Sequence, residues 1–582
     1  MSLKTELELI VKDAFKACGF EGDVGHVTES KRVDLCQFQS NDSFVVAKTQ
    51  RKNPKEVGEA VVDVLNQHPK IKEASFAPPG FINITVSDAF LIECLHNMIN
   101  DAFVGVPQIG AGETIVLDYG GPNVSKPLHV GHLRSAVIGE AVKRIARACG
   151  YNAIGDVHLG DWGLPLGLVI YELKLRYPEW HCFQEGFGGD CDESIQLTPE
   201  LLYEVYPTAS TRSKTDAEYL AQAREVTARL QDGHPGYTLL WNLIVKTSVS
   251  DIKKDYDKLD VSFDYWYGES DADHYIPQLM EILYDKHLIR ESDGAKVVDV
   301  IKETDKSPMP PVIVEKSDGS SIYATTDLAT IFQRQKDFKP NKIWYVVDKR
   351  QGLHFEQVFR VARLANLVPE STEFKFLGFG TMNGQDGKPF KTRDGGVMSL
   401  SSLLKQVEDA SREKLEESDR NVNHESALDI GVAALKFGDL INNPSSDYIF
   451  DVDKFLSFEG KTGSYILYNN VRIIGILKRL NEDPALIHPM AQIVSEHQRN
   501  LVLKLLRNPE QFMASMDEGA PNYITDNTYQ IAAALAKFYA EHNIMKEVNS
   551  EVQTSWINLL KATHKVIEHN LNVLGINAVQ EM

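Results

Sequence analysis

TIVLDYGGPNVSKPLHVGHLRSAVIGE occupies residues 114–140. Its first six residues form a continuous apolar run, the composition of a strand buried on both faces of a parallel sheet. Gly-Gly-Pro-Asn breaks that run. From Gly131 onward, Leu133, Val137, Ile138, Ala141, Val142 and Ile145 recur at helical spacing, and Gly150 supplies a C-terminal stop. YNAIGDVHL (151–159) then reads as a second strand. Strand, helix and strand within about 45 residues predict a βαβ unit.

The pattern extends in both directions. KIWYVVD (342–348) and EFKFLGFG (373–380) are further buried strands, and PVIVEKSDGSSIYAT predicts a hairpin turning at Asp318-Gly319. Residues 160–300 read as largely helical, with a loop-rich patch at 182–194. Upstream, a helix (Thr5–Cys18), strand-like FVVAK (44–48) and FINITV (81–86), and a helix beginning at Pro54 make a small α+β unit. GVPQIGAGE (105–113) links it to the rest. Beyond about residue 425 the strand signal stops, and helical patterns cover 464–480, 490–507, 524–541 and 552–573. The predicted class is α/β: a Rossmann-type parallel-sheet core (112–425) with a helical insertion at about 172–300. A small α+β N-terminal domain (1–105) and an all-α C-terminal domain (426–582) flank it.

The chain has 582 residues, enough for about three to four domains. No apolar run approaches the ~20 residues of a membrane span, and MSLKTELELIVKDAF carries acidic residues in an amphipathic pattern, unlike a secretory signal. The six cysteines form no C-x-x-C pair, so neither a structural zinc site nor any other metal site is expected. Scattered cysteines in a long chain suit the cytoplasm. A net charge of -21 argues against non-specific nucleic-acid binding by the whole surface, while leaving room for a local basic groove.

Ligands of a doubly wound sheet bind beyond the carboxyl ends of its strands. That edge collects Asp118 and Asn123 after the first strand, His158 after the second, and Asp348 and Gln351 after the third. A helix N-terminus attracts phosphate, and Gly131 would let a ligand approach the backbone. His129 and His132 flank it as hydrogen-bond donors. A bare H-x-x-H is more often a cap and a solvated first-turn residue, so the surrounding sequence has to decide.

HVGH inside PNVSKPLHVGHLRS resembles the HIGH signature of class I aminoacyl-tRNA synthetases, and its extended form resembles the arginyl-tRNA synthetases. HLGDWG (158–163), FDYWYGES (263–270), YATTDLA (323–329), GKPFKTRDGG (387–396) and TGSYILYNNVRI (462–473) are similar to that family's blocks, in its order. The resemblance implies an arginine–tRNA ligase. It would use ATP with Mg2+ to form arginyl-adenylate, then charge the terminal adenosine of tRNA(Arg). It implies that His129, Gly131 and His132 contact ATP. It places L-arginine among Asp118, Asn123, His132, Tyr323, Asp327 and Gln351, with Glu269 as a weaker member. Tyr323 and Asp327, four apart, share a face if helical, and a carboxylate suits a planar guanidinium. Phe81 and Asn83 in the N-terminal domain, and Tyr465 and Tyr468 in the C-terminal helices, are the implied tRNA contacts. No membrane partner is implied, and a monomer is expected.

The loop matching the second signature, usually KMSKS, departs from it: Thr392 stands where the second lysine belongs. The cation for the triphosphate is therefore sought among Lys391, Arg393 and Lys126. Three rivals fit less well: a tRNA-binding protein derived from a synthetase, an adenylate-forming nucleotidyltransferase of the same superfamily, and a synthetase for another amino acid, which the Tyr323/Asp327 pair and the missing second-signature lysine count against. His129, His132, Asp118 and Asp327 argue against lost catalysis, and the flanking domains argue against a substrate smaller than tRNA.

Overall fold

The computed structural model describes residues 2–32, 35–189, 195–317, 319–320, 322–388, 398–417 and 426–582. Its central sheet has four parallel strands in the order Glu373–Phe379, Lys342–Asp348, Thr114–Tyr119, Asn152–Asp156. Thr114–Tyr119 feeds helix Val130–Ala148, which returns the chain to Asn152–Asp156. The later strand Lys342–Asp348 joins the other side of Thr114–Tyr119. Strand order therefore reverses at Thr114–Tyr119, which opens a crevice beyond the carboxyl ends of the two central strands. Gly139 lets the helix lie flat on the sheet: a Cβ there would stand 2.2 Å from Tyr119 Cγ.

The N-terminal unit is a four-stranded antiparallel sheet covered by helices. FINITV is a strand as expected, but FVVAK is not: residues 44–48 lie inside helix Asp42–Gln50. Its two valines favour a strand, yet Asp42, Ser43, Val46 and Ala47 are buried together at helical spacing. Packing overrides propensity there. The hairpin is also corrected. Val312–Glu315 is a strand, but Tyr323 begins a helix running to Phe338, and Asp318 lies outside the described residues. The neighbouring hairpin arms are Ile289–Ser292 and Ala295–Val298, joined by Asp293-Gly294 with φ of 51° and 80°. Those values are the left-handed pair of a tight hairpin turn.

Helices Leu400–Glu417 and Ala427–Leu440, which sequence periodicity did not single out, pack on each other. The second also packs on helix Gly463–Leu480 and on Val130–Ala148. Buried Arg134 of Val130–Ala148 joins it to Asp439 (3.0 Å). The C-terminal helices are Gly463–Leu480, Glu496–Leu506, Asn508–Glu518, Asn522–Glu541 and Ser550–Val573. The chain end folds back onto them, burying Ile576 and Val579. Among the described residues, no helix is long and apolar enough to cross a membrane.

Candidate active site

The crevice is bordered by the loop from Gly120 to His129. His129 is the N-cap of helix Val130–Ala148, and its Nδ1 accepts the Gly131 N–H (3.0 Å). The His129 N–H donates to His132 Nδ1 (3.1 Å). The rings lie 3.9 Å apart, tilted by 32°. A ring nitrogen that accepts a backbone N–H carries no proton, so the neutral rings hold theirs on Nε2. Burial lowers the His132 pKa to about 3, with His129 and Lys126 adding to the effect. Burial and Lys126 lower that of His129. Capping and phosphate donation are thus compatible: the caps hold two neutral Nε2–H donors at the helix start. Gly131 serves the histidine itself, since a Cβ there would stand 2.7 Å from His129 Cε1.

Lys126 lies near both histidines, and its Nζ sits 4.4 Å from the centroid of the Tyr206 ring, on helix Pro199–Thr215 of the insertion. Lys391 and Arg393 lie outside the described residues.

Tyr323 and Asp327 share a face of the Tyr323–Phe338 helix. Tyr323 is 73% exposed at the helix start. The Asp327 carboxylate meets His354 Nε2 at 2.5 Å. Glu269 opens a short helix held by Asp161, whose carboxylate accepts from the Ser270 N–H (3.0 Å) and hydroxyl (2.6 Å). This joins the HLGDWG and YGES loops. Burial raises the Glu269 pKa to about 7; His158 opposes the shift, and Asp161 and Asp327 add to it. Burial raises the Tyr323 pKa, and the Glu269 charge adds to the effect. Asn123 forms a parallel bridge with Gly160, and its Oδ1 lies where a Cβ on Gly160 would be 2.0 Å away. Gln351 is exposed at the start of helix Gly352–Leu364, three residues before His354.

Asp118 stands apart in its bonding. Arg334, fully buried on the Tyr323–Phe338 helix, places Nη2 2.7 Å from Asp118 and 2.6 Å from Asp156. Burial works against its charge, but the two carboxylates outweigh it and raise the Arg334 pKa well above the ordinary value. Asp118 is therefore held by a buried cation at the foot of the crevice.

Phe81, Asn83, Tyr465 and Tyr468 lie away from these residues, in the outer domains. Phe81 packs edge-on against Phe44 (5.5 Å between centroids), and Asn83 accepts from Gln39 (2.8 Å). Tyr465 lies 5.9 Å from the Tyr529 ring and Tyr468 6.2 Å from that of Phe458. Sequence reasoning missed His354, Arg334 and Tyr206. For His354 a faint signal existed, the i, i+3 spacing to Gln351; the others are reached only through long-range packing.

A family model described as the catalytic domain of class I (R) tRNA synthetases matches residues 95–452. The DALR anticodon binding domain matches 466–582, and the arginyl tRNA synthetase N-terminal domain matches 3–86. The chain is 46% identical over 581 residues, 99% of both chains, to the arginine–tRNA ligase of Alkaliphilus oremlandii. It is 44% identical to that of Agathobacter rectalis, over 98% of each. In fold it is similar to the arginyl-tRNA synthetase of Plasmodium falciparum, with a TM-score of 0.83 at 22% identity, covering 100% of this chain and 99% of that one. It is similar also to that of Thermus thermophilus, with a TM-score of 0.79 at 20% identity and full coverage of both. With whole-length identity of this order and all three family models in sequence, the chain belongs to the arginyl-tRNA synthetase family of class I aminoacyl-tRNA synthetases.

Proposed function

We propose that this chain is an arginine–tRNA ligase. An oxygen of the L-arginine carboxylate attacks the α-phosphorus of ATP, the bond to the bridging oxygen breaks, and pyrophosphate leaves. A ribose hydroxyl of the terminal adenosine of tRNA(Arg), the 2′-hydroxyl, then attacks the arginyl carbonyl, gives up its proton and displaces AMP. No covalent enzyme intermediate is needed, so catalysis rests on positioning and on stabilising phosphate charge. Mg2+ enters with the nucleotide as substrate. The observation that carries this reading is the pair of neutral Nε2–H donors at a helix start, bordering a crevice that also presents Asp327, Glu269 and Tyr323.

In this reading His129, Gly131 and His132 take the ATP phosphates. Lys126, with Lys391 and Arg393 of the second signature loop, supplies cationic charge. Asp327 and Glu269 hold the guanidinium against the Tyr323 ring. His132, Asn123, Gln351 and the anchored Asp118 take the backbone end of arginine. Residues 1–105 serve the tRNA D-loop through Phe81 and Asn83, and 426–582 serve the anticodon through Tyr465 and Tyr468. The core (112–425, insertion about 172–300) holds the chemistry. The enzyme works in the cytoplasm as a monomer, which sedimentation of the purified chain tests. A panel of amino acids assayed with total tRNA tests the activity: charging with arginine alone is expected, and charging with another amino acid or none overturns the reading.

Asp327→Asn replaces a charge-assisted pair with a neutral hydrogen bond. The arginine KM is expected to rise roughly ten- to hundredfold, a loss of about 1.5–3 kcal/mol, with the ATP KM unchanged. An unchanged arginine KM would place the guanidinium elsewhere.

Glu269 adds a pH dependence. A carboxyl whose pKa is raised from 4.5 to about 7 gives its full stabilising contribution below 4.5 and loses it as pH rises through about 7. A bound guanidinium favours the ionised form, so arginine binding expels a proton at and below neutrality. The arginine KM is expected to rise by up to about tenfold per pH unit below 7, and Glu269→Gln is expected to flatten the profile. A wild-type profile without slope would remove Glu269 from the arginine site.

A further inference from the structure

The loop carrying Lys126 rests on the helical insertion at three points. Tyr256 donates its hydroxyl proton to Gly120 O (2.5 Å). The Ser125 N–H donates to Ser248 Oγ (3.0 Å), with Ser125 in the left-handed region at φ 67°. Between these contacts and His129, the Lys126 ammonium lies over Tyr206. Tyr256 and Ser248 belong to helix Pro235–Lys258, and Tyr206 to helix Pro199–Thr215. The two helices are joined by the Tyr203 hydroxyl and Asp251, one turn from Tyr206. Pro207 follows Tyr206 inside its helix and removes one backbone donor there.

Among the described residues, Lys126 has no ion-pair or hydrogen-bond partner; the aromatic face is what holds it. The choice of partner matters chemically. A carboxylate would cancel the charge and occupy the N–H groups. A π face attracts the cation while leaving its charge and its three donors free for an incoming anion.

We infer that Tyr206 is a positioning residue for the activation step: its ring holds the Lys126 ammonium, uncancelled, beside His129 and His132 for the phosphates of ATP. This rests on the adenylate-forming reading above. It makes placement of the phosphate-binding cation depend on the insertion, a segment that contributes no other phosphate contact in that reading.

The test is a double-mutant cycle read by single-turnover arginyl-adenylate formation, with saturating tRNA and ATP, on the full chain. Lys126→Ala removes the charge itself and is expected to lower the rate by about 10²–10³-fold with little change in either KM. Tyr206→Leu, which keeps bulk but removes the π face, is expected to lower the rate by about 2- to 30-fold. Tyr206→Phe is expected to restore most of it, because the ring and not the hydroxyl carries the contact. In the Lys126→Ala background, Tyr206→Leu is expected to have no further effect. A loss that persists in that background, or a loss that Tyr206→Phe shares, reports a structural role for the ring and overturns the inference. So does a wild-type rate for Tyr206→Leu. These outcomes leave the functional reading standing, whereas a wild-type chain that forms no arginyl-adenylate overturns that reading itself.

Discussion

His132→Ala is expected to lower single-turnover adenylate formation by about 10²–10³-fold, the range for loss of one donor aimed at developing charge. The physical reason lies in the caps. Each histidine accepts a backbone N–H at Nδ1, which fixes the tautomer and points a preset Nε2–H outward. With a pKa near 3, His132 is a neutral donor across the working pH range, so its contribution should not titrate near neutrality. The alanine variant also loses a cap, which alone is worth about 0.5–2 kcal/mol of stability. His132→Asn separates the two effects, because its side-chain oxygen can accept the His129 N–H. A loss of comparable size in both variants, with the substrate KM values little changed, is the expected result. An asparagine variant at wild-type rate would reduce His132 to a helix cap.

Arg334→Met is expected to cost about 3–5 kcal/mol of stability, because it strands two carboxylates beneath the crevice. Asp156 is fully buried and Asp118 nearly so, and each lies within 2.7 Å of the same guanidinium nitrogen. Urea unfolding should show a large fall in the midpoint. Replacing Asp118 and Asp156 by Asn in the same chain should recover part of it, because the buried charge is then removed as well. A midpoint equal to the wild type's would mean that the three groups are not coupled. Activity reads the same node differently. Asp118 is the link between the buried cation and the crevice, so the single variant should lose arginine use at temperatures where it remains folded.

The strand–helix–strand unit at 114–159 was legible in the sequence because its signals are local. An unbroken apolar run, a Gly-Pro break and a 3.6-residue period need no distant partner to be read. His129, His132, Tyr323 and Asp327 were legible for the same reason, each lying in a short motif of fixed spacing. Where local signals conflicted, they misled. Phe44–Lys48 carries β-branched residues yet lies in a helix, because burying Val46 and Ala47 on one face outweighs their strand preference. At Tyr323, a turn dipeptide upstream suggested a second hairpin arm where a helix starts.

What the amino-acid sequence by itself determined, then, is the central sheet's strands, the helix start that presents two histidines, and the family's chemistry written in its motifs. Tertiary structure alone decided which residues support those motifs. Arg334 reaches Asp118 across 216 residues, and Tyr206 reaches Lys126 from a separate helical insertion. His354 meets Asp327 from the next helix along the chain, beyond strand Lys342–Asp348 in sequence. Such contacts arise when whole elements dock to bury their apolar faces. Their partners are set by the packing of entire helices, and no periodicity within a helix encodes which distant charge or ring it will meet.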